Sequence, residues 1–162
     1  MRARTMYSVF GLLFLLVMGG AVAFGQVSSS NGKTSEPGTP TFEGSRAEAE
    51  RFMGYHRSIQ LTPEQEATKR AALEAIPAPC CSNFSAATCC CECNLARTIW
   101  GLSNFLIAEK GFGVERVRDA VNAWIAALDP SGFPGDSCFK GGCGRPFEEG
   151  GCGGMHESWL SF

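Results

Sequence analysis

The stretch "CCCECNLARTIWGLSNFLIAEKGFGVERVRDAVNAWIAAL", residues 89–128, carries the two longest helical patterns of this chain. A break near Gly111 separates two apolar stripes. Most neighbouring apolar positions in each stripe lie three or four residues apart, which is the spacing of one face of an α-helix. The first stripe consists of Leu95, Ile99, Leu102 and Leu106, and the second of Val114, Val117, Val121, Trp124, Ile125 and Leu128. The pattern predicts two helices that pack through these stripes into a modest core.

Two further helices are predicted before this stretch. Ser45 precedes Glu48 by three positions, which is typical of a capping box at a helix start. Thr62 followed by Pro63 gives a second start signal. The four predicted helices span residues 45–57, 62–76, 89–110 and 114–128. Because no segment alternates as a strand does, we predict a mainly α fold, a small helical domain of about four helices with a Cys/Gly-rich C-terminal loop.

The ends of the chain differ from this helical centre. Residues 1–25 combine two arginines, a 16-residue apolar stretch and small residues near Ala23, as in a signal peptide. An uncleaved N-terminal anchor is the alternative, although a membrane-spanning helix needs about 20 apolar residues. Residues 26–44 are rich in Ser, Gly, Thr and Pro, and we predict a disordered linker there. Residues 45–162 then form the helical Cys-rich domain, whose tail from residue 131 has no periodicity.

The charge of the chain excludes one large class of partner. The formal net charge is −2, and removal of residues 1–25 would remove two arginines and no acids. Proteins that bind nucleic acid usually carry a basic patch instead. We therefore predict no nucleic-acid partner, and membrane contact only through residues 1–25 if they are not cleaved.

Six of the nine cysteines fall within residues 80–93, and we call them the first cysteine group. Placed at the start of a helix, several of these thiols would lie close enough together to share one ion. An all-thiolate set selects soft metals such as zinc or copper(I). Cys89, Cys91 and Cys93 are the preferred ligands, with Cys80 or Cys81 completing the site. The full set of candidate ligands is Cys80, Cys81, Cys89, Cys90, Cys91 and Cys93.

The tail contains a second, weaker cysteine group. Cys138, Cys143 and Cys152 are followed by His156, and three thiols with one imidazole can form a tetrahedral zinc site. The alternative is that these three cysteines are disulfide staples and His156 is merely exposed. We expect the other histidine, His56, to be solvated.

Two alternatives to metal binding remain open for the cysteines. Cys90 and Cys93 form a CxxC element, which would suit a thiol–disulfide redox protein. Alternatively, disulfides would staple a structural or interaction module, because exported proteins meet an oxidising environment. The odd number of cysteines leaves at least one thiol unpaired within the chain.

The cysteine-rich segments also resemble known exported proteins. "IPAPCC" at 76–81, the Cys90/Cys93 pair and "SCF" at 137–139 are loosely similar to elements of the PCYCGC-motif lipoproteins, and to uncharacterised exported Cys-rich bacterial proteins. The chain departs from that motif family because the YCxC form is absent, the order of elements differs and no lipid-bearing cysteine is present. The resemblance implies metal or thiol chemistry outside the cytoplasm.

Taken together, these patterns predict an exported protein of the periplasm or cell envelope that binds a soft metal through clustered thiolates. Its role would be metal handling or sequestration, not turnover, and we assign no catalytic residue. The implied cofactor is zinc or copper(I).

Overall fold

The computed structural model describes residues 38–162, which form a mainly α domain with four helices. The predicted signal segment 1–25, and residues 26–37 of the predicted linker, lie outside the described residues. The helices are α1 (Arg46–Ser58), α2 (Pro63–Glu74), α3 (Asn94–Ala108) and α4 (Val114–Leu128). Two short strands, β1 (Pro77–Ala78) and β2 (Cys81–Ser85), lie between α2 and α3. None of the helices within residues 38–162 is both long enough and apolar enough to cross a membrane.

The predicted starts of α1 and α2 are confirmed. The Ser45 side chain accepts a hydrogen bond from the Glu48 amide, and the Glu48 carboxylate accepts one from the Ser45 amide at 3.1 Å. Thr62 and Gln65 form the same reciprocal pair at the start of α2, with Pro63 in the first turn. Each box satisfies amides that would otherwise lack a partner, so local sequence alone determines where these helices begin.

The predicted start of α3 within the cysteine run is wrong. Cys93 is the N-cap residue and the first helical residue is Asn94, so residues 89–92 precede the helix as a loop. The amides of Asn94 and Leu95 donate to the carbonyls of Gly154 and Cys152 in the tail, at 2.9 and 3.1 Å. Carbonyls of the tail accept hydrogen bonds from these amides. Residues 89–92 therefore do not need to form a helical turn that would supply the acceptors.

The prediction of no strands is also wrong, because residues 77–85 form a small antiparallel hairpin. Ala78 pairs with Cys81, and Pro77 pairs with Ser85 across an irregular register. Pro77 and Pro79 end α2, as expected, and they also favour the extended backbone that a strand requires. These strands are too short to show an alternating pattern in the sequence.

The core forms where α1 crosses α3 and α4 packs beside them. A Cβ atom at Gly101 of α3 would lie 1.8 Å from the carbonyl oxygen of Phe52, so only glycine allows this close approach. Trp124 of α4 is fully buried and its ring meets that of Phe52 edge to face at 4.9 Å between centroids. The ring of Phe42 packs against Trp124 at 5.7 Å. Phe42, which falls within the predicted linker, is thus half-buried against the core.

The tail, residues 131–162, has no long element, as its lack of periodicity predicts. It makes four single 3-10 turns. Phe147 is fully buried and meets the ring of Phe162 edge to face. Arg46 of α1 donates to the carbonyl of Leu160 at 2.9 Å. These contacts return the end of the chain to the helices and carry the tail cysteines with it.

Candidate metal centre

All nine cysteines lie within residues 38–162, and all nine are free thiols. The fold gathers them into two neighbouring sets. We call the first set the inner cluster, which consists of Cys80, Cys89, Cys93 and Cys152. The second set is the outer cluster, which consists of Cys81, Cys90, Cys91, Cys138 and Cys143.

The inner cluster is a close group of three buried sulfurs with a fourth, half-buried sulfur beside it. The Sγ atoms of Cys80, Cys93 and Cys152 lie within 4.8 Å of one another, and all three residues are 0% exposed. Cys89, which is half-buried, supplies a fourth sulfur beside this group of three. Three buried thiols with a fourth beside them can supply the donor set of a closed, tetrahedral thiolate site.

Three separate parts of the fold bring the inner cluster together. Cys80 lies in the hairpin turn, Cys93 caps α3, and Cys152 comes from the tail. The Cys152 amide donates to the Gly142 carbonyl at 3.0 Å, and the Cys152 carbonyl accepts from the Leu95 amide. The next residue, Gly153, has a φ of +69°, and a Cβ atom there would lie 2.2 Å from Cε1 of Phe147. Glycine is therefore required at the position that turns Cys152 toward α3.

The thiols of the inner cluster divide their protons unequally. Hydrogen bonds from Cys152, Cys80 and then Cys89 lower the pKa of Cys93 far below its ordinary value, and the Ala96 amide adds to the effect. The pKa of Cys80 is raised, first by its hydrogen bond with Cys152.

The other two inner thiols also favour the protonated form. Hydrogen bonding with Cys80 lowers the pKa of Cys89, but the contact with Cys93 and burial outweigh it and raise the pKa to about 12. The pKa of Cys152 is raised for the same balance of reasons. These directions favour the thiolate form at Cys93 and the protonated form at Cys80, Cys89 and Cys152.

The outer cluster is two overlapping groups of three sulfurs. Cys81, Cys90 and Cys138 have Sγ atoms within 4.8 Å of one another, and so do Cys91, Cys138 and Cys143. Cys138 belongs to both groups. Its Sγ lies 3.4 Å from that of Cys90 and 4.0 Å from that of Cys143.

These separations suit ligands of a common ion better than bonded sulfurs. Sulfurs that share a tetrahedral ion at 2.3 Å lie about 3.8 Å apart, whereas a disulfide brings them to about 2.0 Å. The two Cys138 separations, 3.4 Å to Cys90 and 4.0 Å to Cys143, bracket the first value. The contacts of Cys138 are thus already close to the spacing that a shared ion requires.

The outer cluster is more accessible than the inner one. Cys90 is exposed, and Cys91, Cys138 and Cys143 are half-buried, while Cys81 on β2 is buried. Burial, followed by the contact with Cys90, raises the pKa of Cys81. The hydrogen bond with Cys90 raises the pKa of Cys138 to about 12.

The structure groups the predicted ligands differently from their order in the sequence. Cys152, from the second cysteine group, joins thiols of the first group in the inner cluster. Cys138 and Cys143 likewise join the remaining thiols of the first group in the outer cluster. Among residues 38–162, no histidine or carboxylate forms such a group with the thiols. His156 is exposed and pairs with Ser158 at 2.7 Å between Nδ1 and Oγ.

The structure separates the two cysteines of the CxxC pair and partly buries His56. Cys90 and Cys93, the CxxC pair, fall into different clusters. His56 is not fully solvated as predicted, because its ring packs 5.5 Å from that of Trp100 and its Nδ1 is buried without a hydrogen-bond partner. Burial, followed by the charge of Lys69, lowers the pKa of His56.

No family model, no curated protein and no solved structure matches the chain.

Proposed function

We propose that this protein is an exported soft-metal-binding protein that handles or sequesters metal, and that the inner cluster holds a four-thiolate ion. The observation that carries the proposal is the convergence of Cys80, Cys93 and Cys152, which are fully buried, with Cys89 beside them. Thiolate-only sites select zinc, copper(I) and similar soft ions. A closed set of four suits zinc best.

The composition of the tail supports the same proposal. Nine of residues 132–154 are glycine, so this segment loses much conformational entropy when it is ordered. An ion that joins the hairpin, α3 and the tail would offset that cost. Structural zinc contributes about 10–16 kcal/mol in small zinc-finger peptides. The bound metal would therefore stabilise the tail, and Cys152 of the tail would be one of its ligands.

Export is supported by residues 1–25, whose two arginines, apolar stretch and small residues follow the signal-peptide pattern. The resemblance to PCYCGC-motif lipoproteins points to the same compartment. Fractionation of cells that produce the full chain tests this part, with the protein expected in the periplasm or cell envelope. Recovery of the full chain in the cytoplasm would contradict it.

Metal titration of the reduced full chain tests the inner cluster directly. Tetrahedral Co²⁺ bound by four thiolates gives intense visible and sulfur-to-metal charge-transfer absorption. We expect these bands to appear with the first equivalent and to be displaced by Zn²⁺. Cys93→Ser should abolish them, whereas Cys143→Ser, a matched change in the outer cluster, should keep them. Absence of the bands in the unmodified chain would overturn the proposal.

This arrangement of the thiols supports a thiol–disulfide redox function less than it supports metal binding. Cys90 groups with Cys81 and Cys138, whereas Cys93 groups with Cys80 and Cys152. A disulfide formed between these two residues, found by peptide mapping of the isolated protein, would favour that alternative.

A further inference from the structure

We propose that the outer cluster is a dinuclear centre for two soft monovalent ions of the copper(I) class, bridged by the thiolate of Cys138. This inference rests on the proposed function, because it names a second kind of ion that the same protein would carry. The observation behind it is that Cys138 is the one outer-cluster sulfur shared by both groups of three.

The number of sulfurs distinguishes between kinds of ion. Two four-coordinate ions that share one ligand need seven donor atoms, and zinc prefers four-coordination. The outer cluster has five sulfurs, and among residues 38–162 no histidine or carboxylate joins either group of three. Copper(I) is satisfied by three thiolates, and two such ions that share one sulfur need five. The five sulfurs of the outer cluster meet that requirement with Cys138 as the shared ligand.

The fold gives the shared sulfur its central position. The Cys138 amide donates to the Cys80 carbonyl at 3.0 Å, which fixes the first 3-10 turn of the tail against the hairpin. On one side the Cys138 sulfur meets Cys90, and on the other it meets Cys143. Cys81 and Cys91 complete the two groups from β2 and from the loop before α3.

The two clusters differ in solvent exposure, and this difference suits them to different roles. The inner cluster has three fully buried sulfurs, which suits a retained ion. The outer cluster includes Cys90, which is exposed, so an incoming thiol can reach its ions. Ligand exchange at that sulfur would let copper(I) enter or leave without unfolding the domain. The outer cluster would then hold the transferable ions and the inner cluster the structural one.

The test starts from the full chain with one Zn²⁺ in the inner cluster and adds Cu⁺ from an acetonitrile complex without oxygen. Native mass spectrometry should show one zinc and two copper ions per chain. X-ray absorption at the copper edge should show three sulfurs per copper and a copper–copper vector. A spectrum without that vector, or with two sulfurs per copper, would overturn the dinuclear centre.

Two variants locate the bridge. Cys138→Ser should remove the copper–copper vector and weaken the binding of both copper ions by on the order of tenfold or more, since loss of even an indirect partner costs this much. Cys143→Ser should weaken only one. If Cys138→Ser, like Cys143→Ser, weakened the binding of only one copper ion, Cys138 would not be the bridging ligand. The spectrum of the unmodified chain remains decisive if a variant fails to fold.

Zinc occupancy in the same mass spectra separates this inference from the proposed function. Zinc bound without a copper pair means that only the dinuclear centre is wrong. An unmodified chain that takes up neither zinc nor copper overturns both.

Discussion

The Sγ atoms of Cys90 and Cys138 lie 3.4 Å apart, although 48 positions separate these residues in the sequence. The contact joins the loop before α3 to the tail. The sulfurs can meet only because backbone hydrogen bonds tie the tail to the hairpin and to the first turn of α3. The thiol clusters and the path of the tail therefore depend on each other.

Binding of the first ion to the inner cluster should release about three protons at neutral pH. The reason is that the pKa values of Cys80, Cys89 and Cys152 are raised above the ordinary value of 9.0, while that of Cys93 is lowered. Affinity for zinc should consequently increase as the pH rises from neutral. Calorimetry in buffers of different ionisation enthalpy measures the number. A release near zero would mean that all four sulfurs are already thiolates.

The stability of the metal-free protein should decrease as the pH rises into the alkaline range, whereas the affinity for zinc increases. A raised pKa such as that of Cys89, about 12, favours the folded state below the ordinary value of 9.0. That contribution is lost as the pH rises toward 12. Cys93 is ionised in both states over this window, so it does not compensate. Thermal melting of the reduced, chelated chain should show a falling midpoint between these pH values, and a constant midpoint would be evidence against the raised pKa.

Gly153→Ala should weaken metal binding and destabilise the protein by about 2–5 kcal/mol, through positive φ and overpacking. The new methyl group would overlap the buried Phe147 ring and displace the neighbouring Cys152. Gly144→Ala is a matched control in the same tail, because its Cβ atom would meet nothing within 4 Å. Denaturant unfolding and zinc competition measure both effects. Equal behaviour of the two variants would contradict the assigned role of Gly153.

Two glycine substitutions in helices should have opposite signs. Gly101→Ala should destabilise the fold by about 1–3 kcal/mol, because its Cβ atom would collide with the backbone of α1. Gly54→Ala, on α1 itself, meets only the end of the Arg57 side chain at 3.9 Å. It should stabilise the protein by up to about 1 kcal/mol through helix propensity. Urea unfolding of both variants checks the close crossing of α1 and α3.

Removal of metal should loosen the tail while the helices remain. The four helices share a core that includes Phe52, Leu102 and Trp124, which does not depend on the thiols. The tail depends on Phe147 and on the clusters. After chelation under reducing conditions, limited proteolysis should cut within residues 131–162, with most of the helical circular dichroism retained. Complete loss of helicity would show that the metal supports the whole domain.

Some of this fold could be predicted from the sequence because its causes are local. The capping residues of α1 and α2 lie within four positions of each helix start, and the stripes of α3 and α4 are periodic. The start of α3 could not be predicted, since the carbonyls that receive its first amides belong to Cys152 and Gly154. The residues near the start of α3 do not indicate that its first amides will bond to carbonyls of the tail.

The cysteine content of the site was visible in the sequence, but the grouping of the thiols was not. One signal was available, because residues next to each other in extended chain direct their side chains to opposite sides. Cys80 and Cys81 fall into different clusters, as do Cys89 and Cys90, whereas Cys90 and Cys91 fall into the same one. Which tail cysteine completes each cluster depends on how the glycines turn the tail, and no pattern of residue types encodes that path.

Whether the cysteine clusters hold metal is tested most directly by native mass spectrometry of the protein isolated from its own compartment, combined with a count of free thiols after denaturation in chelator. We expect a mass above that of the metal-free chain, by at least one soft metal ion, and nine thiols that react once the metal is removed. A metal-free mass with eight of the nine cysteines oxidised to disulfides would contradict the account.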